Sequence, residues 1–272
     1  IKLIQNSIKK NRIKSINKRV LGKYFMNHPK FIIGSIKNLN KKVNIKKYLE
    51  KNTGNLTKYI GLSLPTSTIK RKKLLNSYVQ FSPKIYSDLY RKYNNLKKKK
   101  NLKSFISIKV LLIKLRLIKI FNKFEYFLKN QEFNLRIFSE MEPLNTNIVK
   151  LKDNNIFVNH TVSKKDIRTA NELKVYITKR FSNNYKKENT NKITKKDFEN
   201  KGVDASHHMG GTIYNKNRKF AFVDNNLKIL GLKKTFICSS SVFPTSGSVN
   251  PTIFIIALAK RLAYFLISIQ NK

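Results

Sequence analysis

The apolar run at residues 253–269 is the strongest constraint on how this chain can fold. It is far longer than a strand, and Asn250-Pro251 stands just before it. Asn is a strong helix cap and Pro is favoured in a first helical turn, so the run is predicted to be one long helix capped by Asn250. Lys260 and Arg261 lie near its middle. In a bilayer each such charge costs about 2.5–3.5 kcal/mol. The helix is therefore expected to be buried on most sides in the protein, with the two charges reaching out to solvent.

The chain has 272 residues, 40% of them apolar, enough for a real core in one large domain or two small ones. A net charge of +44 suggests a nucleic-acid partner at first sight. That charge comes from 48 Lys and only 10 Arg and runs along the whole chain. Bidentate recognition of phosphate and guanine favours Arg. Lys, Asn and Ile share AT-rich codons, so nucleotide bias filling solvated faces accounts for the charge, and no nucleic-acid partner is expected. Cys238 is the single cysteine, which excludes a disulfide framework or a cysteine metal site within the chain. No spacing of His, Asp and Glu suggests a metal site. No signal peptide opens the sequence; a cytoplasmic location is expected, with peripheral membrane contact as the alternative.

Along the chain, residues 22–29 form an ordered element ending in a turn at Pro29. Residues 50–75 are rich in Thr, Ser and Asn and suit loop and short strands. Tyr86, Leu89, Tyr90 and Tyr93 place an amphipathic helix over residues 80–96. The Lys run at 97–100 suits a solvated loop. Residues 105–121 alternate Ile and Leu with Lys109, Lys114, Arg116 and Lys119. They are expected to form a helix packed on a sheet; a basic helix touching a membrane surface is the competing possibility. Strands are predicted over 134–142, 147–152 and 155–160, the last two joined at Asp153-Asn154. A helix follows over 164–181, capped by Ser163, with Ile167, Leu173, Val175 and Ile177 on its apolar face. Residues 183–200 suit a surface insertion or linker.

The chemistry lies beyond residue 200. His207-His208-Met209-Gly210-Gly211-Thr212 places imidazoles beside a glycine turn, and Asn250 lies some forty residues later. Oxidising an alcohol needs a base for the hydroxyl proton, a polar group to hold the oxygen, and an acceptor for the hydride. Histidine is the natural base near neutral pH. An Asn amide donates to a developing alkoxide without a charge of its own. A flavin is a suitable acceptor, and a helix N-terminus aimed at its ring stabilises the negative charge of the reduced form.

These residues resemble the C-terminal signature of the glucose–methanol–choline oxidoreductases, FAD-dependent alcohol and sugar oxidases and dehydrogenases. The resemblance runs through His207 to Thr212, Val223-Asp224, a leucine-rich strand at 227–232 and a small-residue strand at 236–241. It continues through Pro244 to Asn250-Pro251-Thr252. Residues 22–29 resemble the family's junction between flavin and substrate domains, and Glu140-Met141-Glu142-Pro143 a strand of its substrate domain. The resemblance implies His207 as catalytic base and Asn250 as its partner on the substrate oxygen. It sets Pro251 and Thr252 against the flavin ring, and Ser239 and Ser240 near the ribityl or phosphate part of FAD. Register leaves two histidines open: counting from Met209-Gly210 selects His207, counting from Gly211-Thr212 selects His208. Ile213-Tyr214 replace the family's usual Arg-Met, and Ser239 its usual Asp or Gly. His28 and His160 are expected to be structural, beside a Pro turn and on a strand.

The expected fold is α+β: a mixed sheet with helices on one face, plus a C-terminal strand–helix segment that completes a flavin-binding domain. Residues 1–29 would end the flavin domain and form the junction, 30–200 the substrate domain, and 201–272 the catalytic segment. A dinucleotide fold needs a glycine-rich turn between strand and helix. Only nine glycines occur and none makes Gly-x-Gly-x-x-Gly. The chain is therefore expected to be the C-terminal part of a longer enzyme, partnered by an N-terminal FAD-binding segment. Alone it is expected to bind FAD weakly or not at all, with its terminal helix partly uncovered. The expected substrate is an alcohol, polyol or sugar, with oxygen, a quinone or a cytochrome reoxidising the flavin. An inactive or split-gene remnant of structural role is the alternative; a Lys-rich binder of nucleic acid or an anionic surface is another.

Overall fold

A computed structural model describes residues 1–10, 16–37, 51–53, 56–58, 60–98, 102–121, 132–181, 191–202 and 207–270. In chain order the elements are α1 (Lys2–Lys9), β1 (Lys30–Lys37), β2 (Lys51–Thr53), β3 (Leu56–Lys58), β4 (Gly61–Ser63), α2 (Thr66–Arg71), β5 (Ser77–Pro83), α3 (Lys84–Lys98) and α4 (Leu102–Phe121). Then come β6 (Glu132–Ser139), β7 (Ile148–Lys152), β8 (Asn155–Asn159), α5 (Lys164–Arg180), α6 (Lys195–Lys201) and α7 (Thr252–Gln270). The class is α+β, as expected.

The main sheet has the order β1-β6-β5-β4, and each ladder is antiparallel. Alternation decides its faces. Phe31, Ile33, Val79, Phe81, Phe133, Leu135 and Ile137 point inward and are buried. They meet Ala170, Leu173 and Ile177 of α5 and Phe198 of α6. Full burial of Leu173 and Ile177 contributes about 1.5–3 kcal/mol each. The opposite face carries Tyr78 stacked on its cross-strand partner Phe138, 4.9 Å between centroids.

Local signals set α5 and the β7–β8 hairpin. Ser163 Oγ accepts from the backbone of Lys165 and Asp166, and Asp166 accepts in return from Ser163 N, a capping box. Asp153 and Asn154 both have φ near +50 to +60°, the left-handed pair that a two-residue hairpin turn requires.

Several expectations are corrected. Residues 80–83 belong to strand β5, because Val79 and Phe81 alternate into the core; the helix begins only after Pro83 and runs through Lys98. Residues 66–71 form a short helix. Residues 195–201 form helix α6, capped by Thr194 and Asp197 and anchored by buried Phe198. Val175 faces solvent, while Ala170, Leu173 and Ile177 make the seam of α5. Helix α4 packs against α3 rather than the sheet and leaves Phe105, Ile106, Val110, Leu112, Ile113 and Leu117 exposed.

Beyond residue 207 the predicted strands 227–232 and 236–241 are reduced to isolated bridges, such as Val223 with Ile229 and Lys228 with Phe236. Leu227 at φ +66° and Gly231 at φ +92° bend the chain out of extension. This segment has its own core of Val20, Ile213, Phe222, Val223, Leu227, Ile229 and Val242. Helix α7 touches that core through Leu258 and Leu262, and Arg261 Nη2 donates to Asn225 O at 2.7 Å. The helix is not buried on most sides: none of its side chains is buried. Ile253, Phe254, Ile256, Tyr264 and Ile267 are exposed. By length and composition alone α7 could cross a membrane, a test that core helices of soluble proteins also pass.

Candidate active site

Three stretches of backbone meet at one place, and hydrogen bonding fixes them there. Met26 and Met209 exchange both backbone bonds at 2.9 and 3.0 Å, and Gly22 N donates to Gly211 O at 2.7 Å. On the other side of the 207–214 stretch, Gly210, Thr212 and Tyr214 donate their N–H groups to the carbonyls of Ser240, Ser241 and Val242 at 3.3, 3.1 and 2.9 Å. The histidine segment therefore lies between residues 22–26 and the serine turn. Gly210 has φ +79°, and a Cβ there would overlap the carbonyl oxygen of Tyr24. Only glycine allows both the conformation and the approach.

The three methionines of the chain, Met26, Met141 and Met209, form the floor of this junction, each at most 1% exposed. Met141 belongs to the stretch after β6. Its N–H donates to Ser246 Oγ at 3.1 Å, while Glu140 accepts from Gly247 N at 3.1 Å and from Asn76 N at 2.6 Å. The stretch that follows β6 thus holds the loop that leads to Asn250.

All four histidines gather here. His28 is 1% exposed, and its ring lies 5.6 Å from that of His207, nearly edge-on at 79°. Its Nε2 lies 3.0 Å from Ser246 O. A carbonyl only accepts, so Nε2 is the donor and carries a proton. Burial holds the His28 pKa below its usual 6.5; the Ser246 carbonyl opposes this, the neighbouring His207 adds to it, and the Gly247 backbone opposes it. On the other side, the Phe25 ring lies between His160 at 5.8 Å and His208 at 5.4 Å.

A cavity of about 880 Å³ opens beside Phe25, and its wall includes Asn27, Met141, His160, His208, Gly210 and Ser239. Asn147 is fully buried and braces that wall, exchanging side-chain bonds of 2.9 and 3.0 Å with the backbone of Thr161. The serine turn ends in a hydroxyl chain: Thr212 Oγ1 donates to Ser241 Oγ at 2.7 Å, and Ser239 Oγ lies 2.6 Å from Ser241 Oγ.

The predicted site residues are divided between these features. His207 packs on His28, and through the His28–Ser246 bond it is linked to the loop bearing Asn250. Asn250 itself is exposed and lies outside the cavity wall, as do Pro251 and Thr252. Pro251, not Asn250, stands at the cap position, since its carbonyl accepts the first helical bond from Ile255 N at 3.0 Å. His208 lines the cavity. Ser239 lines it too, whereas Ser240 turns its hydroxyl to His208 O at 2.7 Å. His28 and His160 were read from sequence as structural. Pro29, which fixes the backbone directly after His28, was the one local hint; nothing local marked His160.

Residues 143–259 match the family model described as GMC oxidoreductase. This segment is similar to the C-terminal region of the GMC oxidoreductases. It contains His207, His208, Ser239 and Asn250, so the whole histidine and serine part of the junction lies within the GMC match. A comparison with curated protein sequences gives no match. Among solved structures the chain is similar to formate oxidase, at 14% identity and TM-score 0.47, over 94% of this chain and 48% of that one. It is also similar to pyridoxine 4-oxidase from Mesorbium loti, at 10% identity and TM-score 0.46, over 90% and 43%. A third is an FAD-dependent oxidoreductase from Chaetomium thermophilum, at 10% identity and TM-score 0.49, over 92% and 49%. The chain spans about half the length of these proteins.

Proposed function

We propose that this chain is the substrate-handling half of an FAD-dependent oxidoreductase acting on the CH–OH group of an alcohol, polyol or sugar. The observation that carries this is the meeting of the histidine segment, the serine turn and residues 22–29 at one cavity, with the first two inside the GMC match. His207 accepts the substrate hydroxyl proton, and the Asn250 amide donates to the oxygen as negative charge develops there. His28 keeps the His207 ring oriented. One observation favours the other register: His208, not His207, stands in the cavity wall.

The residues suit a flat, polar-edged heterocycle. Thr161 Oγ1 is buried beside the cavity with no hydrogen-bond partner among the described residues, and Ser239 offers a hydroxyl in the wall. The backbone N–H groups at the start of α7 have no partner in the helix and favour negative charge, which is the role assigned to Pro251 and Thr252. When bound, FAD supplies the two-electron acceptor for the carbinol hydrogen. No glycine-rich strand–turn–helix occurs among the described residues, so the ADP part of FAD is assigned to a separate flavin-binding segment.

The test is flavin bleaching by candidate alcohols in the complete, FAD-loaded enzyme, with His207→Asn and His208→Asn compared. His207→Asn is expected to slow bleaching by about 10²–10⁴ and to remove the acidic limb of its pH profile, with His208→Asn much milder. The reverse pattern moves the base to His208. If neither variant slows bleaching, the oxidoreductase assignment fails.

A further inference from the structure

We propose that helix α4 is a docking surface for an anionic lipid bilayer, in which it lies flat with one apolar stripe among the acyl chains. This is independent of the oxidoreductase assignment.

Helix α4 has 20 residues and runs about 30 Å at 1.5 Å per residue. Ser104 and Leu111, seven residues apart on one face, are buried against the rest of the protein. Away from that seam lies a continuous stripe at four- and three-residue steps: Ile106, Val110, Ile113 and Leu117, which are 56, 60, 57 and 47% exposed. At 3.6 residues per turn, Lys103 and Lys114 border the stripe on one side and Lys109 and Arg116 on the other. These four cations are exposed, and no carboxylate occurs between residues 102 and 121. Lys109 Nζ sits 5.0 Å from the centroid of the Phe105 ring, its stem lying along apolar surface.

The stripe enters the acyl region while the cations on its borders reach the phosphates, and Phe105 and Leu112, exposed beyond Lys109 and Arg116, widen the apolar contact on that side. The other occupants fit worse. A second copy would set the same cations face to face, and a nucleic acid offers phosphates but no apolar phase for the stripe. A protein with +44 net charge meets any anionic surface, so insertion and not adhesion is the decisive quantity.

The chain contains no tryptophan, so Val110→Trp places a single emission reporter in the stripe. In the full chain, vesicles of phosphatidylcholine with phosphatidylserine are expected to shift its emission to the blue, and brominated acyl chains to quench it. Ile106→Ser with Ile113→Ser, at unchanged charge, is expected to lower vesicle affinity at least tenfold in salt that screens surface charge. Ile256→Ser with Ile267→Ser on α7 is expected to leave that affinity unchanged. Pure phosphatidylcholine is expected to bind at least tenfold more weakly than the mixed vesicles. The proposal is overturned if the protein sediments with vesicles while the emission stays unshifted, or if the α4 and α7 pairs lose affinity equally. It is equally overturned if the shift appears with rising protein concentration alone, or with duplex DNA in place of lipid.

Discussion

Replacing His28 by Phe removes one hydrogen bond from the centre of the junction while nearly keeping the ring volume. The Ser246 carbonyl loses its Nε2 donor in a place closed to water. Stranding a buried acceptor costs about 1–3 kcal/mol, and the altered ring shape adds less than about 1.5 kcal/mol. The sum is a loss of about 1–4.5 kcal/mol. Ser246 Oγ and Gly247 N keep their bonds to Met141 and Glu140, so the loop is weakened rather than released. The assay is equilibrium urea unfolding of both proteins across pH. His28 has its pKa lowered from 6.5 in the fold, so the unfolded chain takes up the proton first. The His28 contribution is therefore present above pH 6.5 and declines as pH falls below it. The variant has no such group, so the gap between the two proteins should narrow on acidification. Subtracting them cancels titrations remote from His28 and leaves those of His28 and its neighbour His207. A gap below about 0.5 kcal/mol at alkaline pH, or one that does not change with pH, would refute this account of His28.

Three further outcomes follow from the same geometry. Gly210→Ala combines a left-handed backbone with a Cβ driven into Tyr24 O, and unfolding in urea should show a loss of about 2–4 kcal/mol. Asn147→Ala strands the Thr161 N–H and C=O and should cost about 2–4 kcal/mol by the same measurement, with no change in urea m-value. Asp166 has its pKa raised from 3.8 to about 6, mainly by burial, against the bonds from Ser163 and Glu142. Its contribution is therefore whole below 3.8 and is lost as pH rises through about 6, by at most about 3 kcal/mol. Asp166→Asn should remove that limb from the pH–stability curve.

What could be foreseen depended on whether a residue's neighbours in sequence determine its environment. The cap of α5 and the Asp153-Asn154 turn are local, and both were legible. Phe198 was not: one aromatic ring in a Lys-rich stretch has no periodicity, and only the sheet surface across from it makes α6 a core element. The apolar character of α7 suggested burial, yet character alone does not supply a covering surface: Leu258 and Leu262 reach the core beneath and Phe265 meets Phe236, while the rest of the helix surface stays open. The histidine and serine segments were legible as a pattern. The roles of His28 and His160 were not, because each depends on contacts more than a hundred residues away in sequence, with Ser246 and with Phe25.

The floor of the junction has a chemical consequence. With Met26, Met141 and Met209 buried together, the chain leaves no thioether at its surface for an oxidant to reach. The same arrangement makes any leak costly. One oxygen atom added to one of those sulfurs turns a soft, unbranched filler into a dipole, in a layer that ties residues 22–26 and the histidine segment to the stretch after β6. Peroxide sensitivity of this protein should therefore appear first as loosening of that layer, ahead of any change in the main sheet.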